Sequence, residues 1–204
     1  AASLHPQRDR DVTCMPMPLD LSDYPPATHD GPPAAGILGT ASWAPTADAM
    51  LRLTGELWPR VLAIDPDARL DVAGRGTQAL ASSLQATGVT VLGQVESAAG
   101  FLRSLGVLVY PPVRGSGVKV KVLEALASGV PVVTTPPGAQ GLEPNDGLLV
   151  SSDPTVLAGH VARLLGDVAE RRQRGAAARS YVARRHSPVA ATEPLVRLYE
   201  RMLR

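Results

Sequence analysis

Between positions 113 and 129 the chain reads VRGSGVKVKVLEALASG. Arg114, Lys119 and Lys121 bring three positive charges, and Glu124 one negative, into a stretch that is otherwise apolar or glycine-rich. Basic groups around a Gly-Ser-Gly turn suit an anion. Glycines let backbone N–H groups approach a ligand closely, and a helix that follows adds unpaired N–H donors and a positive dipole end. Arg114, Gly115, Ser116 and Gly117, with Lys119 and Lys121, describe a phosphate cradle. Glu124, a turn deeper, repels phosphate and accepts hydrogen bonds from hydroxyls such as those of a ribose. At about 100° per residue, Gly117, Lys121, Glu124 and Ser128 share one stripe. Val118, Val122 and Ala125 flank it on one side, and Val120, Leu123 and Ala127 on the other. A helix apolar nearly all round is buried, so the stripe faces a cleft, a partner or a buried pair. The plainer alternative is a Lys121–Glu124 pair three residues apart, worth about 0.2–0.5 kcal/mol on an exposed helix.

A second glycine motif competes. GRGTQA at 74–79 fits the dinucleotide pattern G-x-G-x-x-A, with Glu96 twenty residues past Gly76 as the ribose acid. It keeps open a minor reading as an NAD-binding oxidoreductase domain. No Gly-Lys-Ser/Thr of a P-loop is present. His5, His29, His160 and His186 lie far apart without metal-ligand spacing and read as surface residues, so no metal site and no cofactor are expected. The sequence identifies no Ser/His/Asp set and leaves the catalytic residue unknown.

These residues need a frame. From Gly36 onward, short apolar runs (GILGT, RLDVAG, VTVLG, GVLVYP, VPVVTT, GLLV) alternate with helical patterns. The helical patterns cover TADAMLRLTGELWPRVLA, TQALASSLQA, ESAAGFLRSL, VKVKVLEALASG, Pro154–Leu165, Ala169–Arg185 and Thr192–Leu203. Gly129 suits a helix end, and Asp153 with Pro154 a helix start. Six such alternations predict an α/β fold: a Rossmann-like parallel sheet of about six strands with helices on both faces. Ligands bind such sheets at the carboxyl ends of strands, near the switch in strand order. That directs attention to Gly39–Ser42, Gly74–Gly76, Gly93–Glu96, Pro111–Lys121 and Thr134–Gly141. Met15–Pro33 is too rich in proline for a helix or a central strand, and reads as a linker or a strap across a surface.

The totals narrow the partners. The 204 residues suffice for one α/β domain with an appendage, and the net charge of +1 argues against nucleic acid. The arginine-rich final forty residues read as a solvated helix face, with peripheral membrane contact as a minority alternative. Cys14 is the single cysteine, no apolar run reaches membrane-spanning length, and AASLHPQRDRD lacks the apolar core of a signal peptide. The expectation is a soluble, cytoplasmic chain. The missing initiator Met points to a fragment or a processed form.

At these motifs the chain resembles the C-terminal, nucleotide-sugar-binding half of retaining glycosyltransferases with two Rossmann-like domains, the group often called family four. GSGVKVKVLEALASGVPVVTT, then GAQGL and GLLV, carry the best match, and ILGTASWAPTADAM…LWPRV…PDARLDVAGRG resembles that family's first strand–helix–strand. The resemblance runs from about Gly36 to Arg185, and VTCMPMPLDLSDY looks like the interdomain linker. It implies one half of a GT-B-type fold, divided as linker over 1–34, nucleotide-sugar-binding domain over 35–186 and closing helix over 187–204. It assigns Glu124 to the donor ribose, Gly117, Val118 and Lys119 to the donor phosphates, Gly39 to the diphosphate, and Gly93, Gln94 and Val95 to the nucleobase. It implies metal-independent hexosyl transfer from a nucleoside-diphosphate sugar, with an N-terminal acceptor domain as the partner that this chain needs for activity. Two features depart from the family. Ser116 stands where a first glutamate, eight positions before Glu124, is expected, and Thr40–Asp48 lacks the family's Arg and Lys. A non-catalytic nucleotide-binding or interaction module is therefore the main alternative.

Overall fold

The computed structural model describes residues 13–28 and 33–203. Six strands form one sheet: β1 (Ala35–Leu38), β2 (Leu70–Ala73), β3 (Val89–Gly93), β4 (Val107–Tyr110), β5 (Val132–Thr134) and β6 (Leu148–Val150). All pairings are parallel, and the order is β3-β2-β1-β4-β5-β6. This is the expected Rossmann-like α/β sheet. β1 and β4 are buried along their whole length, as parallel strands covered on both faces must be. The chain starts at β1, winds outward to β3, then returns to build β4–β6 on β1's other side. The β1–β4 crease is therefore the topological switch point, where strand ends open a crevice for ligands.

Helices cover both faces. α1 (Ala44–Arg52) runs through a π turn at Leu53–Leu57 into α2 (Trp58–Ile64). The wide turn closes with Trp58 N–H donating to the Leu53 carbonyl, just before Pro59, whose missing N–H and ring do not fit a regular α turn. α2 packs on α7 (Pro154–Gly166) on one face, and α5 (Val120–Ala127) packs on α8 (Val168–His186) on the other. Leu53, Leu57, Trp58 and Val61 are fully or almost fully buried, in line with the helical spacing of the sequence. Asp153 caps α7 as expected, its carboxylate accepting the Thr155 N–H, and Gly129 follows α5 in the left-handed region.

Four expectations need correction. TQALASSLQA forms only a 3-10 turn at Thr77–Leu80 and the four-residue α3 (Ala81–Leu84). It buries just Thr77 and Leu84, too little apolar surface to hold a longer helix. The final helix α9 (Pro188–Met202) starts earlier than Thr192, because Ser187 caps it and Pro188 fits its first turn. The arginine-rich helix is not simply a solvated face. Arg171 is buried and caps α7 by donating to the Leu164 and Leu165 carbonyls at 2.6 and 2.8 Å. His186 is buried rather than exposed, with Nδ1 3.0 Å from the Met17 carbonyl and Nε2 3.2 Å from the Tyr181 hydroxyl. His5 and His29, like the N-terminal AASLHPQRDRD up to residue 12, lie outside the described residues.

The described part of the proline-rich segment, up to residue 28, is a strap across α5 and α8. Leu19 is buried, and its N–H donates to the His186 carbonyl at 2.7 Å. Ala27 N–H reaches the Ser128 carbonyl at 2.8 Å. Arg179 of α8 donates to the carbonyls of Leu21, Tyr24 and Ala127, tying the strap to the end of α5. Among the described residues no helix is long and apolar enough to cross a membrane.

Candidate functional site at the switch point

Residues 111–119 link the end of β4 to α5, whose tip lies over the β1–β4 crease. Gly115, Ser116 and Gly117 are exposed, and Gly117 has φ +73° with open space where a side chain would stand. Lys119 is the N-cap residue and lends no side-chain cap to the helix. Among the described residues, the N–H groups of Gly117, Val118, Lys119 and Val120 have no hydrogen-bond acceptor, which leaves the helix tip a bare row of donors. The Lys119 ammonium folds back onto the Ser116 and Gly117 carbonyls at 3.2 and 2.6 Å. The loop's own carbonyls are thus engaged, and burial holds the Lys119 pKa below its ordinary value.

Lys121 points into the crease. Its Nζ sits 3.1 Å from Thr46 Oγ1 and 4.4 Å from the Tyr110 ring centroid, a cation–π distance. Gly39 ends β1 against the same ammonium: a Cβ there would lie 2.4 Å from Lys121 Nζ and 2.8 Å from Thr46 Cγ2. Burial lowers the Lys121 pKa to about 8, and Lys119 adds to the effect against the attraction of Glu124. Lys121 makes no ion pair with Glu124, so the plainer reading of the stripe does not hold. Glu124 instead accepts the Tyr24 hydroxyl of the strap at Oε1, 2.9 Å away. Burial, then this hydrogen bond, pushes the Tyr24 pKa up to about 12, so its hydroxyl remains a donor. Lys121 and Glu124 are neighbours with separate partners.

The remaining candidates border this centre. Arg114 reaches across to α1 and pairs with Asp48 at 2.7 Å, both side chains largely exposed. It crosses the mouth of the crease, but its charge is already answered. The Gly39, Gly74 and Gly93 loops lie side by side along the carboxyl edge. Gly74 N–H donates to the Gly93 carbonyl at 2.7 Å, and a Cβ on Gly74 would sit 1.9 Å from the Gly39 carbonyl oxygen. The glycines of GRGTQA therefore serve this loop-on-loop contact. The four residues of α3 make no dinucleotide helix, and the oxidoreductase reading finds no support. Gln94 is exposed and Val95 half-buried at the rim beyond β3. On the far side, the Thr134 and Thr135 hydroxyls donate to the Tyr110 and Pro112 carbonyls, fixing the strand end before the glycine loop. Val120, assigned to a buried flank, is 45% exposed at the helix tip and so joins the rim.

Sequence reasoning missed Thr46, Tyr110 and Tyr24 as partners of the stripe. Tyr110 is the one polar tip in VLVY, a signal that was available. Nothing local in the sequence joins Tyr24 to Glu124, a hundred positions away. Among the described residues, no cluster of His, Cys, Asp and Glu could hold a metal ion.

A family model described as glycosyl transferases group 1 matches residues 33–167. No curated protein sequence matches the chain. Among solved structures, the chain is similar to TarM of S. aureus in complex with fondaparinux, alpha-GlcNAc-glycerol and UDP. That likeness has TM-score 0.67 and 15% identity over 92% of this chain and 37% of that one. It is similar to sucrose-phosphate synthase of Thermosynechococcus elongatus, with TM-score 0.68 and 19% identity over 93% of this chain and 52% of the other. The C-terminal domain of the group 1 protein LpcC from Francisella tularensis gives TM-score 0.59 and 16% identity, over 83% of this chain and 99% of that domain. The chain thus spans about half or less of the length of the first two structures.

Proposed function

Because the chain belongs to the group 1 glycosyltransferase family, we propose that it is the donor-binding half of a retaining, two-domain enzyme. It takes a nucleoside-diphosphate sugar and transfers the glycosyl group once an N-terminal domain presents the acceptor. The observation that carries this reading is the half-buried Lys121 ammonium at the switch point, in the first turn of a helix whose N-cap residue gives no side-chain cap. In this reading the N–H groups of Gly117–Val120 hold the diphosphate, and Gly39 leaves it room beside Lys121. Glu124 accepts the ribose hydroxyls, and the backbone of Gly93, Gln94 and Val95 meets the base. During transfer the bond between the anomeric carbon and the diphosphate oxygen breaks, and negative charge grows on the leaving group. Preorganised N–H donors and a cation in a partly dry crease stabilise that charge without reorganisation. In this reading the protein groups alone bear that charge, and the hexosyl transfer is metal-independent.

Calorimetric titration with UDP, GDP and ADP tests the reading, with UDP first because TarM is described with it. Binding of one of the three is expected. A folded sample that binds none would overturn the proposal. Glu124→Ala should weaken the bound nucleotide by about 1.5–3 kcal/mol, as for a hydrogen bond to a charged group.

Ser116 favours a second reading. It is exposed at the position where the family carries its first glutamate, so this half would bind nucleotide without transferring sugar. Joining the chain to an acceptor half and assaying donor hydrolysis and transfer separates the two. Nucleotide binding with neither activity supports the second.

A further inference from the structure

The Glu124 carboxylate already has a partner: one of its oxygens is held by a residue of the strap. The Tyr24 hydroxyl donates to Oε1 at 2.9 Å and, with its pKa pushed up to about 12, stays protonated. A carboxylate has about four acceptor positions, so one phenol leaves Oε2 and part of Oε1 for a ligand. The same tyrosine is fixed at its backbone. Arg179 donates to the Tyr24 and Leu21 carbonyls and also to Ala127, the last residue of α5. Three residues on, Ala27 N–H donates to Ser128 at the α5 C-cap. The strap is thereby set in register with the helix that carries Glu124. An unrestrained glutamate samples several rotamers, and freezing it on binding opposes affinity. Here the freezing is done before the ligand arrives.

We propose that Tyr24 is a positioning residue: it orients the Glu124 carboxylate so that Oε2 meets the vicinal hydroxyls of a donor ribose. The inference rests on the proposed donor site. It adds that the segment entering the domain sets the site's readiness, so that a shift of the strap changes how firmly a ribonucleotide is held.

Titrate the full chain with UDP, GDP and ADP and with their 2′,3′-dideoxy counterparts. Tyr24→Phe keeps the ring and removes only the hydroxyl. It should weaken the best-binding ribonucleotide by about fivefold, as expected for one lost hydrogen bond. The dideoxy counterpart should bind the variant and the original chain alike. In a Glu124→Ala background, Tyr24→Phe should then have no further effect. Equal weakening of both nucleotides would mark Tyr24 as merely structural and overturn the inference, as would an unchanged affinity. Tighter ribonucleotide binding would also overturn it, by showing that Tyr24 competes with the ligand. If the unmodified chain binds no nucleotide, the donor-site reading falls and this one with it. If it binds and the Tyr24 effect is absent, this one falls alone.

Discussion

Replacing Lys121 with methionine should make the domain more stable and its anion site weaker. Methionine keeps most of the stem's volume and removes the charge. The ammonium's pKa is lowered from 10.5 to about 8, chiefly by burial. The unfolded chain therefore holds the proton more tightly than the folded one. Stability must rise as pH climbs from about 8 to 10.5, and the charged form opposes folding fully below that window. A displacement of this size corresponds to about 3 kcal/mol near neutral pH. The variant also loses the hydrogen bond to Thr46, worth about 1 kcal/mol. The net expectation at pH 7 is a gain of about 2 kcal/mol, shrinking towards zero or reversing by pH 10. Over the same change, diphosphate affinity should fall by about 1.5–3 kcal/mol, the worth of a charge-assisted hydrogen bond. Urea unfolding at pH 7 and pH 10, paired with nucleotide calorimetry, reads both quantities. A lysine retained for packing would give a loss of stability at pH 7 as well as at pH 10, and no change in binding. That result would refute the reasoning.

Other changes probe the frame around that lysine. Gly39→Ala puts a methyl 2.4 Å from Lys121 Nζ and 2.8 Å from Thr46 Cγ2. The ammonium, the end of a flexible chain, should shift, and nucleotide affinity should drop roughly tenfold, with about 1–2 kcal/mol of stability lost on urea unfolding. Arg114→Ala breaks an exposed pair with Asp48 and should change stability by less than about 1 kcal/mol, an effect that added salt removes. Arg179→Ala deprives three carbonyls of their donor and should cost about 2–3 kcal/mol. Limited proteolysis should then cut within residues 13–28 sooner than in the original chain.

The sheet was legible because its signals are local. VLVY and VPVV read as strands buried on both faces, and β4 and β5 are buried throughout. The helix at 44–64 was legible from the spacing of Met50, Leu53, Leu57 and Val61, all buried. Its π turn was not, since Pro59 signals a defect without saying how the neighbouring turn absorbs it. TQALASSLQA misled for a related reason: its alanines favour a helix, but packing gave it only Thr77 and Leu84 to bury. Local preference yields where no apolar face draws the helix onto the sheet.

The stripe of α5 shows where such reading stops. Helical spacing places Lys121 and Glu124 side by side and makes an ion pair the economical guess. What separates them is supplied by other parts of the chain. Thr46 and Tyr110 draw the ammonium towards the crease, and Tyr24 draws the carboxylate towards the strap. Two opposite charges one turn apart, each satisfied elsewhere, remain available to different ends of one ligand. An intrahelical pair would have neutralised both. In the proposed donor site the strap's tyrosine is thus part of what keeps the two charges apart, and its chain separation from Glu124 is why no local pattern could disclose it.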